Sequence, residues 1–372
     1  MLNREPPAPS PQPSSRTHPT LRARLTTLAR TSLWACWLAS LAAYVFAYAM
    51  PTDLLASGST HLTFAFVAFM LRTFILHAGI AMTVLAVLAL IFRARRLFVL
   101  SCIFALALCW PTLRAITRPA SPAPNPQQPT LTLVVANVNL GNPDLSKLIS
   151  LINAENADVV ILQEITPAHI ASLRSALSVT HPHRSEALRS DAFGQAIYSR
   201  IPFQSEPQLF PQGTLLRDSR LGGVVGLHDP QIRTTISFDG LPVVIQNLHL
   251  VPPGDPSMLR EQRVQFAWLR DWLRSMATSP NPSAVILAGD FNSTPSSPQH
   301  AVLRAAGLIE SHAQAGQGTG HTWPDIAPLS NLPGIRIDHV YSTSELRAVE
   351  ARVGPSIGSD HRPQVVRLVK AK

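Results

Sequence analysis

Residues 284–295 read AVILAGDFNSTP. Six apolar or small residues in an unbroken run describe a strand buried on both faces, and Gly289-Asp290 closes it with a turn-forming pair. The strand therefore delivers Asp290 and Asn292 to its end. The same layout recurs outward along the chain: LTLVVA (131–136) leads into Asn137-Val138-Asn139, VVILQ (159–163) into Glu164, and VVIQNL (243–248) into His249. Towards the C-terminus come Ile337-Asp338-His339 and Ser359-Asp360-His361-Arg362-Pro363, beside the runs IDHVY and QVVRL. Further short runs (QAIYS, VVGL, TTISF) and helical patterns at 145–153, 167–177 and about 258–276 separate them. Strand runs outnumber helical ones, no internal repeat is present, and the pattern predicts a sheet-rich mixed α/β domain over 130–372.

Polar residues at the ends of buried strands must be paired, solvated or bound to a metal, because burying them alone is expensive. A layered α/β sandwich gathers such ends onto one rim. There is no Gly-x-Ser-x-Gly elbow, no cysteine beyond residue 109 and no Gly-rich phosphate loop with Lys, which leaves acyl-enzyme chemistry and triphosphate cradling without support. Asp, Glu, Asn and His remain. Carboxylate and amide oxygens suit a hard cation such as Mg²⁺ or Mn²⁺, and a His paired with Asp suits an imidazolium facing negative charge. Together they describe metal-assisted attack of water on phosphorus.

The motifs NVN, LQE, AIYSR, NLHLVPP, GDFNSTP, HTWP, RIDHVY and GSDHRP, in this order over about 131–368, resemble the endonuclease/exonuclease/phosphatase (DNase I-like) superfamily. The resemblance implies a four-layer α/β/β/α sandwich with the site along one edge of the paired sheets. It implies Glu164 as metal-binding glutamate, with Asn139 and Asp360 also on the metal. Asp290 would ready the attacking water, Asn292 and Asn137 would contact phosphate, and His361, held by Asp338, would donate to a phosphoryl oxygen. His249 stands where a phosphate-contacting residue is expected, and Arg336 is a further candidate contact to substrate, with a rim salt bridge as the competing and preferred role. Asn139 is a departure, since many members carry Asp there.

The N-terminal third is different in kind. The chain of 372 residues has a net charge of +9, 14% charged residues and a mean hydropathy of +0.15. The segment from 130 onward holds 20 basic and 20 acidic residues, so the excess, 11 basic against 2 acidic, lies entirely in 1–129. Residues 1–30 read as a basic Pro/Ser-rich tail, and 31–50 and 73–92 are uncharged 20-residue runs long enough to span a bilayer. The shorter run 97–113, which contains Pro111, is read as a third span, with an interfacial or re-entrant course as the alternative. Eight Arg on the tail side against three on the other place the tail in the cytoplasm and the C-terminal domain outside it. Residues 114–129 are a Pro-rich linker.

Three spans followed by this domain resemble bacterial membrane members of the superfamily linked to teicoplanin-type resistance. The reading is therefore a multi-pass, extracytoplasmic, metal-dependent phosphohydrolase whose partners are the lipid bilayer and a lipid-linked phosphate or pyrophosphate. Nucleic acid is disfavoured by the neutral domain. The alternatives are a surface-anchored nuclease or phosphodiesterase, and a catalytically idle binding module.

Overall fold

The computed structural model describes residues 20–50, 58–119, 127–210, 215–218, 223–226, 230–278 and 283–371. Four helices come first: α1 (Leu21–Ala49), α2 (Ser59–Thr73), α3 (Ile75–Ile91) and α4 (Arg95–Ile116). The sandwich follows as β1 (Leu131–Asn137), α5 (Ser146–Ala154), β2 (Val159–Gln163), α6 (Pro167–Leu177), β3 (His183–Ala187), β4 (Gln195–Ser199) and β5 (Gln208–Phe210). Next are β6 (Leu215–Asp218), β7 (Gly223–Gly226), β8 (Gln231–Phe238), β9 (Leu241–His249), α7 (Pro256–Ala277) and β10 (Ala284–Asp290). The last elements are α8 (His300–Ala305), β11 (Ile309–Glu310), α9 (Ser311–Ala315), β12 (Asp338–Ser342), β13 (Leu346–Val353) and β14 (Gln364–Lys370).

Two six-stranded sheets form, in the orders β13-β14-β1-β2-β4-β3 and β11-β12-β10-β9-β8-β5. Strand parity decides what lies between them. Leu131, Leu133 and Val135 of β1 and Ala284, Ile286 and Ala288 of β10 belong to one shared core, whereas Val134 and Ala136 face α5 and α6. Val285 and Leu287 face α7 and α8. Three cores separate four layers, helices outside and sheets inside, which is the mixed α/β sandwich expected from the sequence. Continuing the period of two, Asn137, Gln163, His249, Asp290 and Asp338 all turn inward at one edge of the paired sheets. The β9–β10 pairing sets Asp290 opposite His249, and the β10–β12 pairing sets it opposite Asp338. Gly289 (φ +139°) permits this register, since a Cβ there would stand 2.0 Å from the Leu248 carbonyl oxygen. Asp255 caps α7, its carboxylate accepting from the Ser257 and Met258 N–H groups.

The helical region departs from the sequence expectation. Residues 21–30 belong to α1 rather than to a tail, and 59–73, between the first two expected spans, form α2. α2 and α3 meet at a 68° bend, so the run at 73–92 is the second arm of a broken helix pair. Pro111 sits inside α4 without ending it. Among the described residues two helices, Arg24–Ala49 and Arg95–Ile116, are long and apolar enough to cross a membrane, or three if the bent pair is one span. Residues 1–19 of the tail and 120–126 of the linker lie outside the described residues.

Side chains from the helices reach the sandwich. Arg72 Nε donates to the Ser296 carbonyl (2.6 Å), His77 Nε2 to that of Pro333 (2.8 Å), and Arg118 to those of His312 and Gly316. α2 packs against α7.

Candidate active site

The inward-turned strand ends form one hydrogen-bonded constellation. Asn137 is its centre: the Nδ2 group donates to Glu164 Oε1 (2.9 Å) and to Asp290 Oδ2 (3.1 Å). Glu164, at φ +61° just past β2, also accepts the Leu140 N–H on Oε2. A left-handed backbone at a residue other than glycine is costly, and here it aims the carboxylate into a cavity. That cavity, about 680 Å³, is lined by Glu164, His249, Asp290, Asn292, Asp360 and His361.

Asp290 is 1% exposed. Its Oδ1 accepts the Asn292 N–H (2.8 Å), and its Oδ2 lies 3.6 Å from His249 Nε2 and 3.8 Å from His361 Nε2. Burial, and then the neighbouring Asp338, push its carboxyl up to about 6. His361 Nδ1 donates to Asp338 Oδ2 at 2.9 Å. Burial alone would lower this ring, but Asp338 and Asp290 outweigh it and raise it to about 10, so it is an imidazolium at neutral pH. Asp338 stands behind the ring, outside the cavity lining, its backbone N–H donating to the Thr322 hydroxyl and its backbone carbonyl accepting from Gln364 Nε2.

Three expected contacts are placed differently. Asn139 does not line the cavity; its Nδ2 donates to Asp360 Oδ1 (2.6 Å) and its Oδ1 accepts the Gly141 N–H, so the amide nitrogen holds Asp360 and the oxygen holds the turn at 139–141. Asn137 is 1% exposed and bridges carboxylates instead of reaching substrate. Arg336 turns away from the cavity to Glu310 (3.2 Å), on the far side of the sheet. Asn292 lines the cavity, with its amide nitrogen donating to the Leu250 carbonyl.

Sequence reasoning missed the apolar half of the same cavity, supplied by Phe69, Met70 and Phe74 around the α2–α3 bend, by Phe193 and by Met258. Trp323 of the HTWP segment forms a wall, its indole N–H donating to Asp360 Oδ2 (3.3 Å).

The donor set fits a divalent cation. Glu164 and Asp360 present carboxylates to the cavity. Asp290, Asp338 and His361 bring one ligand atom each within 4.8 Å of one another, and Asp338 Oδ1 is buried without a protein partner.

The family profile described as "Endonuclease/Exonuclease/phosphatase family" matches residues 134–361. The chain belongs to that family, and the profile together with the acidic/His cluster defines a divalent-metal-dependent phosphoesterase. A search of curated proteins gives no match. Among solved structures, the chain is similar to an endonuclease/exonuclease/phosphatase from Beutenbergia cavernae DSM 12333 (22% identity, 66% of this chain and 72% of that one, TM-score 0.50). It is also similar to a family member from Bacteroides thetaiotaomicron (16%, 66% and 96%, 0.50) and to an AP endonuclease from Leishmania major (15%, 70% and 95%, 0.54).

The last of these corrects the expected partners. The neutral domain was taken to disfavour nucleic acid and to favour a lipid-linked phosphate, yet an endonuclease shares this fold over 95% of its own length. The physical reason is that 20 basic against 20 acidic residues sums charge over the whole surface. A bound cation supplies positive charge at the scissile phosphate that no count of Lys and Arg includes.

Proposed function

We propose that the protein is a nuclease-type phosphodiesterase that hydrolyses phosphodiester bonds of nucleic acid. The observation that carries this reading is the placing of a buried carboxylate, Asp290, 3.8 Å from a buried imidazolium, His361, at an open cavity that also presents Glu164. Asp290 accepts the proton of the attacking water as the new P–O bond forms and the ester P–O bond breaks. His361 donates a hydrogen bond to a phosphoryl oxygen as charge gathers there, and Asp338 fixes its orientation and keeps it charged. The imidazolium has no lone pair to offer, which favours Glu164 and Asp360 over His361 as holders of the cation. Bound there, Mg²⁺ or Mn²⁺ would neutralise the phosphate. Detergent-purified protein incubated with plasmid and single-stranded DNA should cut them with either ion and stop in EDTA; DNA left intact with both ions sinks the reading.

Residues 130–372 are the catalytic domain, and the helices ahead of it anchor it in a bilayer with the domain outside the cytoplasm. The apolar windows at 24–49 and 95–116, with the bent pair α2–α3 between them as a third crossing, and the arginine asymmetry support this. A phosphatase reporter fused after Lys372 should be active and a cytoplasm-only fluorescent reporter dark. The opposite pattern overturns the topology.

A further inference from the structure

We infer that the α2–α3 bend forms a specificity wall of the catalytic cavity, receiving a flat aromatic group carried by the substrate's phosphate. This rests on the phosphoesterase reading above and names what the non-reacting part of the substrate must be. One side of the cavity is polar, with Glu164, Asp290, Asp360 and His361; facing it are Phe69, Met70, Thr73 and Phe74, which come from outside the sandwich. The bend falls on Phe74, whose backbone (φ −98°, ψ 30°) leaves the helix between α2 and α3.

Two hydrogen bonds flanking this residue fix the bend against the sandwich. Arg72 reaches the Ser296 carbonyl, four residues beyond Asn292, and His77 reaches that of Pro333. Arg72 does not line the cavity, so the wall is an apolar surface and not a second grip on phosphate. The Phe74 ring is 38% exposed. An aromatic ring left open at a cavity mouth beside buried carboxylates is placed to cover a ligand.

The chemistry of the wall selects the occupant. Phe69, Phe74, Phe193 and Trp323 contribute four aromatic rings to one cavity, and Phe193 packs at 5.2 Å on His249, itself 3.6 Å from Asp290. π-Faces this close to the reacting position favour a flat ring, as a nucleobase is, over a flexible chain. Phe74 touches the ligand in this scheme and not the reacting atoms, so it governs binding and selectivity rather than the chemical step.

The test uses the full-length protein in detergent with Mn²⁺ and three probes titrated calorimetrically: methylphosphonate, phenylphosphonate and octylphosphonate. Wild type should bind the phenyl compound most tightly. Phe74→Ala should weaken phenylphosphonate about tenfold, the size of one stacking contact, and leave methylphosphonate unchanged, while Phe74→Trp should restore the preference. Equal weakening of phenyl and methyl compounds, or tighter binding of octyl than phenyl, overturns the inference. Since binding is read directly, loss of DNA cleavage in wild type would sink the nuclease reading while leaving this result to stand or fall by itself.

Discussion

Asp338 and His339 are consecutive residues on β12, and each feeds a buried carboxylate–histidine cluster on an opposite face of the same sheet. On the inner face Asp338 holds His361 beside Asp290, at a cavity. On the outer face His339 Nδ1 meets Glu310 Oε1 (2.9 Å) and its Nε2 the Ser293 carbonyl (2.9 Å); next to it, His300 bonds the Ser293 hydroxyl and the Tyr341 hydroxyl. Both ring nitrogens of each outer histidine are engaged. The inner cluster instead leaves Asp338 Oδ1 and His249 Nδ1 buried without protein partners. Arg336 Nε and Nη1, beside Glu310, are likewise buried without partners, so the two clusters share residue types, burial and some unspent polar valence, and differ in access. A carboxylate next to histidine thus becomes a candidate site only where an opening reaches it.

The largest expected effect is on the inner cluster. Asp290→Asn and His361→Ala should each lower the rate of DNA hydrolysis by about 10² to 10³, the usual cost of losing a general base or an electrostatic donor. The double variant should lose less than the product of the two, as for residues acting as a unit. Thermal melts should show both single variants folded. Near-normal turnover in either would break the assignment of this cluster to chemistry.

The outer cluster should answer in stability. Removing one partner of a buried ion pair typically costs about 3–5 kcal/mol. Glu310→Gln leaves Arg336 and His339 without their anion. Burial alone would push the Glu310 carboxyl up, but Arg336 and His339 hold it well below the usual carboxylate range. Denaturant titration should register a loss of that order, with specific activity of the folded fraction kept. A stable Glu310→Gln protein with depressed turnover would place the outer cluster in the mechanism and erase the distinction.

Much of this contrast was legible beforehand, because parity along a strand is a property of sequence: Asp338 inward and His339 outward follow from a period of two. Glu164, His249, Asp290, Asn292 and His361 were legible as polar residues beside the ends of apolar runs and through the family motifs; Glu164, Asn292 and His361 lie beyond the strands, where parity does not reach. Asn139 was misassigned because its partner, Asp360, lies 221 residues away, and no local pattern shows an amide spent on such a contact. For Arg336 the salt bridge holds in place of the substrate contact, and its anion, Glu310 across a loop, was not legible. The α2 helix escaped because 15 residues ending at Thr73, with Arg72 in the last turn and a break at Phe74, fall short of a spanning run. Phe193 carried no signal at all, since a lone aromatic in a polar loop has no period.

A smaller effect separates the cation's holders. If Glu164 supplies the main anionic ligand, Glu164→Gln keeps the shape and the Asn137 hydrogen bond while removing the charge. The Mn²⁺ concentration for half-maximal activity should rise roughly tenfold or more, the range seen when a ligand or its support is altered. An unchanged metal dependence, with loss only in Asp338→Asn, would move the cation to the inner cluster of Asp290, Asp338 and His361.

The smallest effect concerns protonation. The inner cluster keeps His361 charged, whereas the rings around the outer cluster are held neutral: burial, and then Arg336, lower His312 to about 3 and His321 to about 4. Both fall below the ordinary value near 6.5. Between the folded and ordinary values the unfolded chain binds the extra protons, so the stability these rings contribute is complete above about pH 6.5 and is lost as the pH falls toward 4. The melting temperature should therefore drop between pH 7 and pH 5. Replacing the deeper ring, His312→Gln, should shrink that drop by about 2–4 °C, the shift that ~1 kcal/mol produces in a domain of this size. His361→Gln should not shrink it, because a ring whose folded value is raised contributes stability at low pH and loses it only as the pH climbs through about 10. A drop that His312→Gln leaves intact and His361→Gln removes would mean that the charged and neutral histidines have been assigned to the wrong faces of β12.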